Sequence, residues 1–280
     1  MSYSSEVIEK IKQLRVNGHT LTEIIAQVGL SKSRTFDYIK DIPQSEFLKE
    51  KIRLARSDAR EAIAAKRRGK SVKNYSFLKP KKWNPDLVNL VGHFLFDGEL
   101  KRTTCAYNNR SQVLIQGVIK GMKSLLGVDD YKIYFNKITG VTRISYHNVE
   151  IATFIRGKAD MLFGYIKTAP HEHKIAFLRS FFDDEGCVSF RGRGRSVRGY
   201  QHSIEILQLI QNLLSELNIA STIDKLHVEI SITRKENLLK FQKLINFTPG
   251  LRVNGKRSNS VWKKDLEKRE ILKMAIDSYL

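Results

Sequence analysis

Two short segments of this 280-residue chain carry acidic residues in positions that suit metal chemistry. Residues 90–98 read LVGHFLFDG and residues 178–186 read LRSFFDDEG, so each is a largely apolar stretch that ends in a carboxylate followed by glycine. A carboxylate in the last turn of a helix meets the negative end of the helix dipole. Because this unfavourable placement occurs twice, at Asp97 and at Glu185, we expect a cation at these helix ends.

Packing the two helices side by side would bring Asp97 and Glu185 together. Adjacent carboxylates repel each other unless they are protonated or share a divalent cation. Oxygen-only ligation favours Mg²⁺ over zinc, and a metal ion beside a nucleic-acid phosphate suggests hydrolysis of a phosphodiester. The glycines that follow the two acids are expected to end the helices.

The elements that would position these acids occur twice in the same order. Helical periodicity and strand alternation predict an αββαββα unit over residues 84–168 and a second one over residues 169–249. Asp97 and Glu185 are 88 residues apart, which indicates a duplication with a pseudo-two-fold axis inside one monomeric chain. Residues 250–280 are expected to end the chain with a basic helix from Val261 to Tyr279.

The charge of the chain favours nucleic acid as its partner. Lys and Arg number 49 against 29 Asp and Glu, a net charge of +20, and a charge of this size indicates a polyanionic partner. The excess is greatest over residues 41–83, where thirteen basic and five acidic residues give +8. A basic helical linker is expected over residues 43–83, either simply solvated or following DNA phosphates through Lys66, Arg67 and Arg68.

Composition also excludes several classes of protein. The apolar runs are far shorter than the ~20 residues that a membrane helix needs, and no secretory signal pattern opens the chain. Two cysteines cannot form a disulfide framework. We therefore expect a cytoplasmic, nucleoid-associated protein with no membrane contact.

Residues 1–42 have the pattern of three short helices. A capping-box spacing from Thr20 to Glu23 predicts a helix that Gly29 ends, and Lys32–Lys40 follows with Phe36 and Ile39 expected to face inward. The string TEIIAQVGLS resembles the helix-turn-helix consensus of DNA-binding regulators, although any three-helix bundle with a glycine turn is the alternative. In the DNA-binding interpretation, the second helix of the motif presents Lys32, Ser33, Arg34 and Tyr38 to DNA.

Both nonapeptides resemble the LAGLIDADG motif of homing endonucleases, and the surrounding repeat is similar to that family's order of elements over about residues 85–250. The resemblance implies an α+β fold of two pseudo-symmetric αββαββα halves. In that family the motif helices pack at the pseudo-two-fold axis, and two four-stranded antiparallel sheets form a saddle over double-stranded DNA. Members of the family are associated with introns and inteins.

The resemblance also implies roles for individual residues. Asp97 and Glu185 become ligands of the catalytic Mg²⁺ ion, and Arg234, at the strand-to-helix switch of the last hairpin, becomes the basic catalytic residue. Other implied positions are the small residues at the helix contact, Gly92 and Ser180, the helix-ending Gly98 and Gly186, and the neighbouring base Lys235. The expected contacts to DNA in the two halves are Lys101, Arg102, Arg191, Arg193, Arg195 and Arg198.

Two functions remain open from the sequence. The first is a site-specific, Mg²⁺-dependent DNA endonuclease that makes a double-strand break. The second is a non-cleaving DNA-binding transcriptional regulator on the same scaffold, similar to a bacterial regulator that couples a LAGLIDADG-like domain to a helix-turn-helix. The two retained carboxylates favour the enzyme, whereas short first hairpins and the added helix-turn-helix favour the regulator, because short strands make fewer base contacts.

Overall fold

The computed structural model describes residues 4–67, 82–192, 194–253 and 264–279, without the side chains of residues 64–67. The chain divides into two compact units, Met1–Lys73 and Asn74–Leu280. None of the helices among these residues combines the length and the apolar character that a bilayer crossing requires.

The first unit is helical, with a core made by three short helices. Its elements are α1 (Ser5–Val16), α2 (Leu21–Val28), α3 (Lys32–Ile39) and α4 (Glu46–Arg67). The expected capping box forms at the start of α2, where Thr20 and Glu23 exchange hydrogen bonds. Gly29 then ends α2 with a positive φ of 70°, a conformation that glycine adopts without steric cost.

The packing of this unit differs from the expectation in two places. Phe36 is 52% exposed, because Thr35 occupies the buried position of α3 beside Ile39. The start of α4 is also part of the unit and not a free linker. Leu48 is fully buried, and the Lys51 ammonium lies 2.9 Å from a Glu23 carboxylate oxygen.

The second unit contains the two expected αββαββα halves. The first half comprises α5 (Pro85–Phe96), β1 (Gly98–Leu100), β2 (Cys105–Asn109), α6 (Gln112–Leu126), β3 (Lys132–Phe135), β4 (Thr142–Tyr146) and α7 (Val149–Ile166). The second comprises α8 (His171–Glu185), β5 (Gly186–Arg191), β6 (Gly194–Tyr200), α9 (Ile204–Glu216), β7 (Thr222–Asp224), β8 (Glu229–Ile232) and α10 (Lys235–Leu244). The predicted α+β fold class is confirmed.

Each half builds one four-stranded antiparallel sheet. The strand orders are β1-β2-β4-β3 and β5-β6-β8-β7, so the two halves have the same topology. In the first sheet Tyr107 pairs with Ile144 on the face that adjoins the hydrophobic core. Asn108 and Arg143 pair on the opposite face. We call the latter the polar face, and its counterpart in the second sheet carries Ser189, Arg198 and Ser231.

The two halves meet through α5 and α8, which carry the acidic segments. At the contact, a Cβ added to Gly92 would lie 2.1 Å from the Ser180 hydroxyl oxygen. A methyl group at this distance would overlap the van der Waals radius of the Ser180 side chain, so glycine fits there without displacing Ser180. The predicted small pair, Gly92 and Ser180, therefore lies where the helices approach each other.

The C-terminal segment differs from the expectation in length and in role. The last helix, α11, runs from Lys268 to Asp277 rather than from residue 261, and residues 261–263 lie outside the described part of the chain. Ile271, Leu272 and Ala275 of α11 are fully buried, and the helix packs on β5, β6 and α10. It completes the core of the second half and is not an appended basic tail.

Candidate active site

The two acidic helix ends have the same local construction. Asp97 is the C-cap residue that follows α5, and Glu185 is the last residue of α8. A Cβ on Gly98 would lie 2.0 Å from the Phe94 carbonyl oxygen, and one on Gly186 would lie 2.3 Å from that of Phe182. Neither glycine has a positive φ. The glycines are therefore needed because a strand leaves the helix at once, and not because the backbone adopts a left-handed conformation there.

Burial and mutual repulsion act strongly on the two carboxyl groups. Burial raises the pKa of Asp97 to about 7, and the negative charge of Asp184 adds to the rise. Burial also raises the pKa of Glu185 to about 7, with Asp97 and then Asp184 as the next causes. A bound cation would relieve this repulsion. The site thus has the electrostatic character of a cation site.

Asp184 connects the second half to the first through buried hydrogen bonds. Its carboxylate accepts a hydrogen bond of 2.6 Å from the Tyr107 hydroxyl and lies 2.8 Å from His93 Nδ1. Burial is the largest single effect on the pKa of His93 and lowers it, but the charge and hydrogen bond of Asp184, together with the charges of Asp183 and Asp97, outweigh it and the pKa is raised. Asn109 Nδ2 donates to Asp97 Oδ2 over 2.7 Å. This network orients the Asp97 carboxylate.

The same position in the first half is apolar. Phe96 corresponds to Asp184 in the 88-residue repeat, and its ring contacts those of Phe177 and Phe181, with centroids 5.5 and 5.2 Å away. The helix pair is therefore asymmetric, with a polar contact toward the first half and an aromatic contact toward the second. His93, Tyr107 and Asn109 were not among the site residues predicted from the sequence. A histidine inside an otherwise apolar helix was the available signal for the first of them.

The predicted basic residues near the second hairpin have different surroundings. Arg234 is exposed at the start of α10 and has φ 69° and ψ 142°, a backbone region that non-glycine residues rarely adopt. The Lys235 side chain is directed toward the C-terminal segment, where its ammonium donates a hydrogen bond of 2.9 Å to the Tyr279 carbonyl oxygen. In the first half the corresponding place holds Ser145, with its hydroxyl 3.0 Å from His147 Nε2.

The predicted DNA contacts of the two halves divide between the two faces of the sheets. Arg198 lies on the polar face, where its guanidinium donates a hydrogen bond of 2.7 Å to the Ser189 hydroxyl. Lys101 pairs with Glu99, and Arg102 and Arg191 are exposed. Arg195 differs from the expectation, because it lies opposite Phe190 on the core face of the sheet. Its guanidinium donates a hydrogen bond of 2.6 Å to the Ser278 hydroxyl. Arg193 lies outside the described residues.

The predicted DNA contacts of the helical unit also differ among themselves. Lys32, Ser33 and Arg34 are exposed in the first turn of α3. Tyr38 is half-buried and packs against the core of the unit, because it lies on the inner side of the helix. The side chains of Lys66 and Arg67, and all of Arg68, lie outside the described part of the chain.

Comparison with known proteins supports the sequence resemblance. Residues 172–246 match the family model described as a LAGLIDADG-like domain. This match spans nearly all of the second half. Among the described residues, no set of three or more His, Cys, Asp or Glu side chains has the arrangement of a complete metal site.

Solved structures that resemble the chain include those of I-DmoI and of DUF199/WhiA. The structure of I-DmoI in complex with DNA and Mn is 16% identical, with a TM-score of 0.44, over 57% of this chain and 96% of that one. The N-terminal LAGLIDADG domain of DUF199/WhiA is 19% identical, with a TM-score of 0.45, over 62% of this chain and 89% of that one. Full-length DUF199/WhiA from Thermatoga maritima is 17% identical, with a TM-score of 0.42, over 62% and 60% of the two chains. No curated protein matches the chain.

Proposed function

We propose that this protein is a site-specific DNA endonuclease of the LAGLIDADG type that hydrolyses phosphodiesters with Mg²⁺ and makes a double-strand break. The observation that carries the proposal is the pair of half-buried carboxyl groups at the ends of α5 and α8, both with pKa raised to about 7. The monomer would supply both half-sites through its internal repeat. A cytoplasmic, nucleoid-associated location is part of the same proposal.

The donor chemistry of the site fits a divalent cation. Both donors, Asp97 and Glu185, are carboxylates, and Mg²⁺ is commonly held by one or two carboxylates while water and phosphate oxygens fill the other positions. When bound, the ion would polarise a phosphate and activate water. Asn109 holds the Asp97 carboxylate at 2.7 Å, and Arg234 would offset the charge that develops on the phosphate.

Each unit of the chain would make its own contacts with DNA. In the second sheet, Arg191 and Arg198 on the polar face would contact phosphates. In the first half, Lys101 and Arg102, which lie between β1 and β2, would do the same. The exposed first turn of α3 would contribute Lys32, Ser33 and Arg34. Because residues 41–83 carry a net charge of +8, this part of the chain would add attraction to DNA that depends on salt but not on sequence.

A non-cleaving DNA-binding regulator is the second candidate, and the first hairpin favours it. β1 has three residues and β2 has five, so few side chains on this hairpin can reach base edges. The discriminating experiment incubates the protein with Mg²⁺ and a library of DNA targets, alongside Asp97→Ala and Glu185→Ala. If no target is cut and both variants bind DNA as wild type does, the nuclease proposal fails and the regulator remains.

Binding of Mn²⁺ to the metal-free protein is expected to strengthen by roughly a hundredfold between about pH 6 and about pH 8, about tenfold for each of the two ligands, and to release protons. The reason is that Asp97 and Glu185, with pKa values of about 7, hold protons in the lower part of this range, which the cation must displace. Calorimetric titration in two buffers of different protonation enthalpy measures the released protons. An affinity that does not change over this range contradicts the assignment of the two ligands.

Lys32→Glu is expected to weaken DNA binding by about tenfold at moderate salt and to flatten the salt dependence, because one phosphate contact becomes a repulsion. Fluorescence anisotropy with labelled target DNA at several salt concentrations measures both effects. Lys12→Glu is the matched control, since it makes the same charge change at an exposed position of α1. Equal effects of the two substitutions would show that only net charge matters and that α3 does not contact DNA.

A further inference from the structure

A buried lysine from α11 lies beneath the end of α8. Lys268 is 8% exposed, and its ammonium donates to the carbonyl oxygens of Asp183 and Gly186 over 2.9 and 2.7 Å. It also approaches the Phe182 carbonyl oxygen at 3.4 Å. The last carbonyl groups of a helix have no partners within the helix, so Lys268 provides partners for peptide groups on both sides of Glu185.

We propose that Lys268 is a positioning residue for Glu185, and the proposal rests on the metal site proposed above. The carbonyl groups of Asp183 and Gly186 precede and follow Glu185 in the chain. Holding both on one ammonium fixes the backbone from which the Glu185 side chain leaves the helix. The C-terminal helix thereby becomes part of the active site, although it lies beyond residues 172–246, which match the LAGLIDADG-like domain.

The surroundings of Lys268 hold its backbone firmly. Glu267 and Glu270 form a capping box at the start of α11, and the Glu267 carboxylate accepts a hydrogen bond from the Gly250 amide over 3.0 Å. The Lys268 amide donates to the Leu251 carbonyl oxygen over 2.8 Å. These bonds join α11 to the chain after α10, so the position of the ammonium is set independently of Glu185.

The carboxylates of Asp97 and Glu185 are held in different ways. Asn109 donates directly to the Asp97 carboxylate. The described residues donate no hydrogen bond to the Glu185 carboxylate, whose raised pKa has burial and the charges of Asp97 and Asp184 as its main causes. Glu185 therefore depends on the backbone for its direction, and Lys268 holds that backbone.

A positioning role and a purely electrostatic role predict opposite results when Lys268 is replaced. Removing a positive charge near a cation site should strengthen cation binding if only charge matters. Losing the support of a ligand should weaken it, because changes in groups that orient metal ligands commonly cost about 10–100-fold in affinity. The sign of the change therefore separates the two roles.

The test compares Lys268→Met with Lys268→Arg in the full-length protein, with Mn²⁺ as the probe and thermal melting as the check on folding. We expect about tenfold weaker Mn²⁺ binding for Lys268→Met and substantial recovery for Lys268→Arg. Lys273→Met is the matched control, because it removes the same charge from an exposed position on α11 and should leave Mn²⁺ binding unchanged. If Lys268→Met does not fold, Lys268→Gln replaces it, with the same expected loss.

Unchanged or tighter Mn²⁺ binding in a folded Lys268→Met or Lys268→Gln protein overturns the positioning role while the proposed function stands. If the wild-type protein itself binds no Mn²⁺, the proposed metal site fails and this role fails with it. The wild-type measurement thus distinguishes the two failures. The inference is supported if Mn²⁺ binding is weaker in Lys268→Met or Lys268→Gln, recovers in Lys268→Arg and is unchanged in Lys273→Met.

Discussion

Asp97→Asn and Glu185→Gln are each expected to lower DNA cleavage by at least about a thousandfold, which corresponds to about 4 kcal/mol of transition-state stabilisation. Each substitution removes a negative donor from the proposed cation site and keeps the shape of the side chain. DNA binding without divalent cation should be retained, because the carboxylates repel phosphate. Single-turnover cleavage and anisotropy titrations measure the two quantities separately.

The same two variants are expected to melt at a higher temperature than wild type at about pH 8 without divalent cation. The pKa of each carboxyl group is raised to about 7 in the folded protein, so between its unfolded pKa and about 7 the folded state binds more protons than the unfolded state. Stability of the wild type therefore falls as pH rises through this window and does not recover above it. An amide, which does not ionise, avoids this loss.

The control for both effects is Asp86→Asn, in the first turn of α5. There a carboxylate is exposed and meets the positive end of the helix dipole, so the amide should slightly destabilise the protein and leave cleavage unchanged. Variants at Asp97 and Glu185 that cut DNA at the wild-type rate would refute the proposed catalytic role. Lower melting temperatures at about pH 8 would contradict the burial of the two charges.

Gly92→Ala is expected to destabilise the protein by about 3 kcal/mol, the upper part of the range for overpacked cores. The new methyl group would lie 2.1 Å from the Ser180 hydroxyl oxygen and 2.9 Å from its Cβ, so α5 and α8 must separate. Their separation would also move Asp97 away from Glu185 and weaken Mn²⁺ binding. Denaturant unfolding measures the loss of stability.

The reciprocal substitution tests whether this contact is the cause. Ser180→Gly in the Gly92→Ala background removes the clashing atoms and should bring stability to within about 1 kcal/mol of Ser180→Gly alone, a coupling expected only for residues in contact. Gly117→Ala is the control, because a Cβ there meets nothing within 4 Å and alanine favours a helix interior over glycine. If the double variant is as unstable as Gly92→Ala alone, the loss of stability does not come from the contact between residues 92 and 180.

Local patterns were sufficient to predict most of the second unit. The elements from α5 to α7 follow the αββαββα order that the sequence predicts over residues 84–168. Periodicity of apolar residues and the residues at helix ends determine such elements, and these signals lie within a few positions of one another. The 88-residue spacing of Asp97 and Glu185 likewise predicted two halves of the same topology, since a repeated order of elements is visible in the chain itself.

The side-chain surroundings that the sequence did not predict depended on which face of an element a side chain occupies. Arg195 was expected to contact DNA with its neighbours, but its register opposite Phe190 places it on the core face. Lys235 was expected to accompany Arg234 as a neighbouring base, and the structure shows its ammonium donating a hydrogen bond to the carbonyl oxygen of Tyr279, 44 residues later. A one-residue difference in register moves a strand side chain to the other face, and composition alone does not determine register.

The sequence by itself determined that two acidic helix ends exist, that they belong to one duplicated unit, and that the chain is strongly cationic. Only the tertiary structure decided how each acid is held. Asn109 contacts Asp97 from 12 residues away, whereas Lys268 reaches Gly186 from 82 residues away. The physical reason is that helices and turns follow from neighbouring residues, whereas the partners of a buried polar group follow from how distant elements pack.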